Sequence, residues 1–307
     1  MAGMMGLRPR TWLLAALVFG GMFVPMPGES RTLPALADLA HAPIFGLFTL
    51  MILHGLRSRR PASPLRLGLV AWALAVALGV AIEIVQGLTG RSASWHDVLA
   101  DAAGAGAFLI WESAPRAASR AVRIGLYSAA AILVAVPSAP PLLVLADVAM
   151  QAHDGPRLAS FESPLELSRW EFPDSRHSRS TSHATDGTWS LRVDLARGHY
   201  PGATLEWPVR DWTGYHDLEF DTYLDSGARL DLVVKIEDSH DDGRYQDRFH
   251  RMVSLTPGPN HTRIALAEVE RAPEGRLLDL RRIRRLQFFT VGLSGPRTFF
   301  FDGIRLK

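Results

Sequence analysis

Two hydrophobic patterns divide the chain. In the first half apolar residues form long unbroken runs: Trp12 to Met26, Ala40 to Leu56, Leu67 to Leu88, Val98 to Trp111 and Ile124 to Val148. A helix needs about 20 apolar residues to cross a bilayer, so the runs predict about five spans. Arg8 and Arg10 precede the first run. It reads as a signal peptide with Ala35-Leu36-Ala37 as cleavage site, or as an uncleaved anchor; the spans that follow favour the anchor. Pro137, Pro140 and Pro141 interrupt the fifth run and predict a kink or break there, since each removes a backbone donor.

From Arg157 onward short alternating segments take over. Ser190–Ala196, Ala203–Val209, Asp217–Leu224, Leu230–Ile236, Arg248–Leu255, Thr262–Leu266, Arg285–Gly292 and Thr298–Leu306 read as strands. Asp186-Gly187, Pro201-Gly202, Asp242-Gly243 and Pro257-Gly258-Pro259 read as turns between them. The expected fold is an α-helical membrane bundle over residues 1–149, a linker over 150–157, and an all-β antiparallel jelly-roll sandwich over 158–307.

Charge adds an orientation. Arginines cluster before the first span, between the second and third (Arg57, Arg59, Arg60, Arg66) and between the fourth and fifth (Arg116, Arg120, Arg123). Alternate loops rich in bases belong in the cytoplasm. The N-terminus is therefore expected inside a bacterial inner membrane, and everything after about Ala149 outside. The net charge of +2 points to no anionic partner, and the chain has no cysteine, which excludes disulfide and thiolate chemistry.

That topology gathers the unusual polar residues at the outer leaflet. His41 opens the second span. Glu83 and Gln86 share one face near the end of the third. Arg91 and Ser94 lie in the outer loop, and Asp97 and Asp101 share a face of the fourth span. Ionisable groups within a membrane are costly and usually have a task. Glu83 and Asp97 are candidate acid/base groups; His41, Gln86, Arg91, Ser94 and Asp101 are candidate contacts to a phosphate or sugar head group. A structural reading stands beside this one. Ser94-x-x-Asp97 fits a helix cap, Arg91 balances Glu83, and Gly104 and Gly106 serve close helix packing.

The arrangement Glu83-x-x-Gln86, then Gly90-Arg91-x-x-Ser94-x-x-Asp97, then Gly104, with His41 upstream, resembles the VanZ-like membrane family over about residues 10–115. That family usually carries an asparagine where Asp101 stands here, and an acidic residue followed by lysine ahead of its early histidine. The resemblance implies a cell-envelope role, linked through the family's namesake to glycopeptide resistance. The tail is similar to galactose-binding-like and carbohydrate-binding-module jelly rolls. The features are Thr181-Ser182 to Asp186-Gly187-Thr188-Trp189-Ser190-Leu191, the run Leu218–Ile236, and the closing Phe299 to Leu306.

In the tail Trp189, Trp207, Trp212, Tyr215 and Tyr245 are candidates for stacking on sugar rings. Trp207 and Trp212 flank a turn and are expected to be the exposed pair, with Tyr215 beside them. No cofactor is expected. A structural calcium is kept open, either on the loop Asp238, His240, Asp241 and Asp242 or between Glu162 and Asp302. The basic run Arg281, Arg282, Arg284 and Arg285 reads as a head-group contact or a solvated face. The expected partners are the bilayer, a glycan or lipid-linked saccharide, and proteins of an envelope complex; nucleic acid is not expected. Three functions follow: retention of envelope glycan, acid/base chemistry on a lipid-linked precursor, or a scaffold for polysaccharide synthesis or export.

Overall fold

The structure, a computed structural model, describes residues 30–58, 62–88, 94–225 and 227–307. The first apolar run and Arg91 lie outside the described residues. The chain forms two compact units, Met1–Leu145 and Ala146–Lys307.

The first unit is helical: α1 (Thr32–Arg57), α2 (Pro64–Leu88), α3 (Trp95–Ser113) and most of α4 (Arg120–Asp154). Small residues set its packing. A side chain at Gly104 would run into the Ala42 carbonyl, and one at Gly46 into the Phe108 ring. These glycines let α1 and α3 approach closely, which is how helices associate where lipid removes the hydrophobic drive between them. Phe45, Ala75, Ile82 and Ala105 form one buried cluster, and Leu53, Leu67 and Ala71 another. Leu47, Leu65, Leu69 and Leu74 remain exposed, as lipid-facing positions should.

Among the described residues α1, α2 and α4 are long and apolar enough to cross a membrane. Helix α3 has 19 residues and carries Asp97, Asp101 and Glu112. The expected break in the fifth run does not occur. Helix α4 continues for 35 residues through Pro137, Pro140 and Pro141. Each ring removes one donor, but the helix on both sides is apolar and uninterrupted, and the Ser138 hydroxyl donates to the Val134 carbonyl at 2.8 Å.

Most of the segment read as a linker, 150–157, is helical. Helix α4 runs to Asp154 and stops at Gly155, whose φ of 63° is the left-handed conformation that ends helices. Its last turns belong to the second unit. Asp147 and Arg169, both buried, are joined through Arg169 Nε at 3.0 Å and Nη2 at 2.8 Å. Gln151 Nε2 donates to the Trp207 carbonyl at 2.8 Å.

The second unit is an antiparallel sandwich. One sheet has the order β3 (Ser175–Ser180), β4 (Ser190–Leu195), β11 (Arg297–Leu306), β6 (Asp217–Leu224), β9 (Gly258–Ala265), with β1 (Arg157–Ala159) pairing β11. The other has the order β2 (Trp170–Glu171), β5 (Gly202–Leu205), β10 (Ile283–Phe289), β7 (Leu230–Asp238), β8 (Phe249–Leu255). The inward residues alternate as the sequence requires: Leu232, Val234 and Ile236 on β7 face Leu218 and Phe220 on β6 within one core. Phe220 meets Phe288 at 5.1 Å, and Phe288 meets Phe301 at 4.6 Å, so aromatic contacts join the sheets. Each such ring contributes about 1.5–3 kcal/mol of burial. The turn expected at Pro257-Gly258-Pro259 lies at the junction of β8 and β9: Pro257 is in the connection, and Gly258, with a φ of 97°, and Pro259 begin β9. Among the described residues that strand pairs with β6 alone, and an edge strand tolerates proline.

Candidate functional site

The helical unit brings the predicted membrane residues together. His41 on α1, Glu83 and Gln86 on α2, and Asp101 on α3 are all buried. His41 Nδ1 lies 2.8 Å from Asp101 Oδ1, and its Nε2 lies 4.0 Å from Asp97 Oδ2. Phe45, one turn below, stacks parallel to the imidazole with ring centres 6.3 Å apart. Gly79 on α2 leaves the room that the Asp101 carboxylate occupies, since a side chain there would touch Asp101 Oδ2. Sequence reasoning passed over Gly79, although it lies four residues before Glu83 on the same helix face.

Ser94 caps α3, with its hydroxyl accepting from the Asp97 N–H at 3.3 Å. Its own N–H donates to Glu83 Oε2 at 2.7 Å. Glu83 therefore ties α2 to the entry of α3. Glu83 Oε1 is buried and has no hydrogen-bond partner among the described residues. An imidazole between two carboxylates, with a third carboxylate nearby, is an arrangement that holds or passes a proton.

In the sandwich the expected aromatic pair is not the exposed one. Trp212 is fully buried in the core, where its Nε1 donates to the Val209 carbonyl at 2.7 Å and its backbone N–H to the Leu280 carbonyl at 2.8 Å. The segment folds inward because this ring fills the core. Tyr215 packs partly buried against the same core, and Trp207 is half-buried. Trp189 carries the Arg179 guanidinium over its face at 4.2 Å.

The open surface lies elsewhere, on the outward face of the five-stranded sheet. Strand pairing aligns its side chains in three cross-strand rows. Thr204, Gln287, Lys235 and His250 form a polar row across β5, β10, β7 and β8. Gly202, Phe289, Val233 and Met252 form an apolar row beside it. On the other side Glu206, Arg285, Glu237 and Arg248 form an ion-paired row, with Arg285 at 2.9 Å from Glu206 and Arg248 at 4.0 Å from Glu237.

The polar and apolar rows line a groove of 720 Å³, flanked by Tyr200 and Tyr245. Both tyrosines are about 60% exposed (61% and 59%). Tyr200 meets Phe289 edge-on at 5.8 Å, and Tyr245 lies 3.9 Å from the His250 ring. Burial, then the neighbouring Arg248, holds the His250 imidazole below its ordinary value. Burial pushes the Glu206 carboxyl up despite Arg285. Of these residues, sequence reasoning singled out only Tyr245 as a sugar contact.

Most carboxylates considered for calcium have protein partners, whereas Asp241 accepts from the Gly243 N–H through Oδ1 and its Oδ2 is buried with no hydrogen-bond partner among the described residues. Glu162 Oε1 accepts from the Thr188 and Trp189 N–H groups at 2.7 Å, and Asp302 Oδ2 accepts from the Asp186 N–H at 2.8 Å. Asp238 is bound by Arg276, and Asp242 by Arg244. Among the described residues no group of three or more His, Asp or Glu side chains is arranged to hold a metal ion.

The fold and these surfaces define a membrane helical bundle joined to an antiparallel β-sandwich. Residues 8–111 match the family model for VanZ/LLP1. Among solved structures, an exo-beta-agarase is similar at 17% identity over 50% of this chain and 25% of its own, with a TM-score of 0.42. A family 11 carbohydrate-binding module from Clostridium thermocellum, in complex with a beta-1,3-1,4-mixed-linked tetrasaccharide, is similar at 16% identity over 49% of this chain and 94% of its own, with a TM-score of 0.39. A family 30 carbohydrate-binding module of a Clostridium thermocellum cellulosomal cellulase is similar at 19% identity over 50% of this chain and 92% of its own, with a TM-score of 0.35. No curated protein matches the chain.

Proposed function

We propose that this is a cell-envelope membrane protein that retains a glycan on the outward face of the five-stranded sheet. The observation that carries the reading is the pairing of an apolar row, Phe289, Val233 and Met252, with a polar row, Thr204, Gln287, Lys235 and His250. A pyranose ring is apolar on one face and polar at its rim, so it suits such a surface. The groove is open, which suits a polymer or a lipid-linked saccharide. The arginine-bearing loops support a sandwich held outside the inner membrane, where such glycans lie. Detergent-solubilised full-length protein is expected to be retarded by at least one envelope or exopolysaccharide in affinity electrophoresis. Tyr200→Ala with Phe289→Ala should abolish the retardation while thermal unfolding stays cooperative. Retardation unchanged in that variant would defeat the reading.

The buried membrane cluster favours a second reading, acid/base chemistry on a lipid-linked envelope precursor. Its support is His41 set between Asp97 and Asp101, with the Glu83 Oε1 atom unpartnered among the described residues. Glu83→Gln and Asp97→Asn variants should insert and fold normally yet lose the cellular phenotype of the wild type. If they fail to insert, the cluster is structural.

A further inference from the structure

We infer that the groove selects an acidic glycan, with a sugar carboxylate seated at its β7–β8 end among Lys235, Arg248 and His250. This rests on the glycan-retaining reading and adds the chemical class. The groove's charged lining consists of Lys235 and Arg248, with His250 beside them, and no acidic residue lines it among the described residues. Outside the groove, Glu171 and Glu206 lie toward the β2–β5 edge, with Arg285 2.9 Å from Glu206. At the other end Glu237 pairs with Lys235 and lies 4.0 Å from Arg248, and the Asp241 carboxylate is close enough to interact with both cations.

Two nitrogens at that end remain unused. Arg248 Nε and His250 Nδ1 are buried and make no hydrogen bond among the described residues. A buried polar atom left without a partner is unfavourable, so this end of the groove carries hydrogen-bonding capacity that the free protein does not use. Tyr245 fixes the geometry. Its ring packs on His250 at 3.9 Å and under the Arg248 guanidinium at 5.6 Å, so the imidazole and the guanidinium both flank this exposed tyrosine. A sugar ring on Tyr245 would bring an equatorial carboxylate against both groups. A guanidinium and an imidazole are the side chains best suited to receive it.

The test compares polyuronates, polygalacturonate and alginate, with the same polymers after chemical reduction of their carboxyls, against full-length protein in detergent. At least one polyuronate should bind. Its reduced form should bind at least about tenfold more weakly, and raising salt from 0.05 to 0.5 M should weaken the polyuronate alone, as screening of an exposed charge pair requires. Lys235→Ala and Arg248→Gln should each remove the preference and keep whatever binding the reduced polymer shows. Lys235→Ala changes an outward side chain and guards against a folding defect in Arg248→Gln. Equal binding of a polyuronate and its reduced form, or binding of neutral glycans only, would overturn the acidic-glycan inference and leave the glycan reading standing. Failure of every acidic and neutral polymer to bind would overturn both.

Discussion

His41 Nδ1 and Asp101 Oδ1 lie 2.8 Å apart although 60 residues separate them, and both side chains are buried. The pair exists because α1 and α3 approach closely at Gly104, where any side chain would meet the Ala42 backbone. Gly104→Val should force the helices apart and separate the pair. Far less monodisperse protein is expected after detergent extraction, whereas Gly125→Val, at an open helix position, should extract normally. Equal behaviour of the two variants would remove the helix approach from the account.

The absence of cysteine makes orientation simple to measure. Single Ser92→Cys and Arg59→Cys variants should give opposite results with a membrane-impermeant maleimide added to spheroplasts: labelling at position 92 and protection at position 59. The reverse pattern would place the groove-bearing sandwich in the cytosol and defeat the envelope reading.

Arg169 and Asp147 form an ion pair with both side chains at or below 1% exposure. Arg169→Met removes the guanidinium from a buried carboxylate and is expected to destabilise the second unit by about 3–5 kcal/mol. The double variant Asp147→Leu with Arg169→Met removes both charges and should recover much of that loss. Denaturant unfolding of the three proteins checks it; a double variant no better than the single would contradict it.

Asp238 gives the pH dependence. Burial pushes its carboxyl up, but hydrogen bonds from Arg276 and from the Asp279 and His240 N–H groups outweigh this and hold it below the ordinary carboxylate range. The folded state then binds fewer protons than the unfolded one. The resulting stability is complete above the unfolded value of about 3.9 and is lost as pH falls through the lower folded value. The stability gap between wild type and Asp238→Asn should be constant from pH 7 to 5 and should narrow as pH falls below about 4. A gap that does not change with pH would contradict this.

Much of the fold was legible in the sequence because its signals are local. Long apolar runs gave the helices, and alternation gave β4, β6, β7, β8 and β11. Strand β3, with the sequence Ser-Arg-His-Ser-Arg-Ser, was missed because an edge strand over the sandwich rim carries no buried alternation. The prolines of α4 do not break it because their helix-breaking cost is set in water, whereas this helix is apolar on both sides of them. Ser94 and Asp97 were readable as a cap, but the His41–Asp101 contact joins two helices and needs their packing. The groove was the least legible. Its rows take every second residue from β5, β10, β7 and β8, whose spatial order is not their order in the chain, and the tryptophan that seemed exposed, Trp212, fills the core instead.

Hydrogen–deuterium exchange of the full-length protein, with and without a retained oligosaccharide, tests the groove most directly. Protection on binding should fall on Gly202–Leu205, Leu230–Asp238, Phe249–Leu255 and Ile283–Phe289 and spare Asp217–Leu224 and Gly258–Ala265 on the opposite sheet. Protection confined to the opposite sheet, or retention without any protection of these four strands, would contradict it.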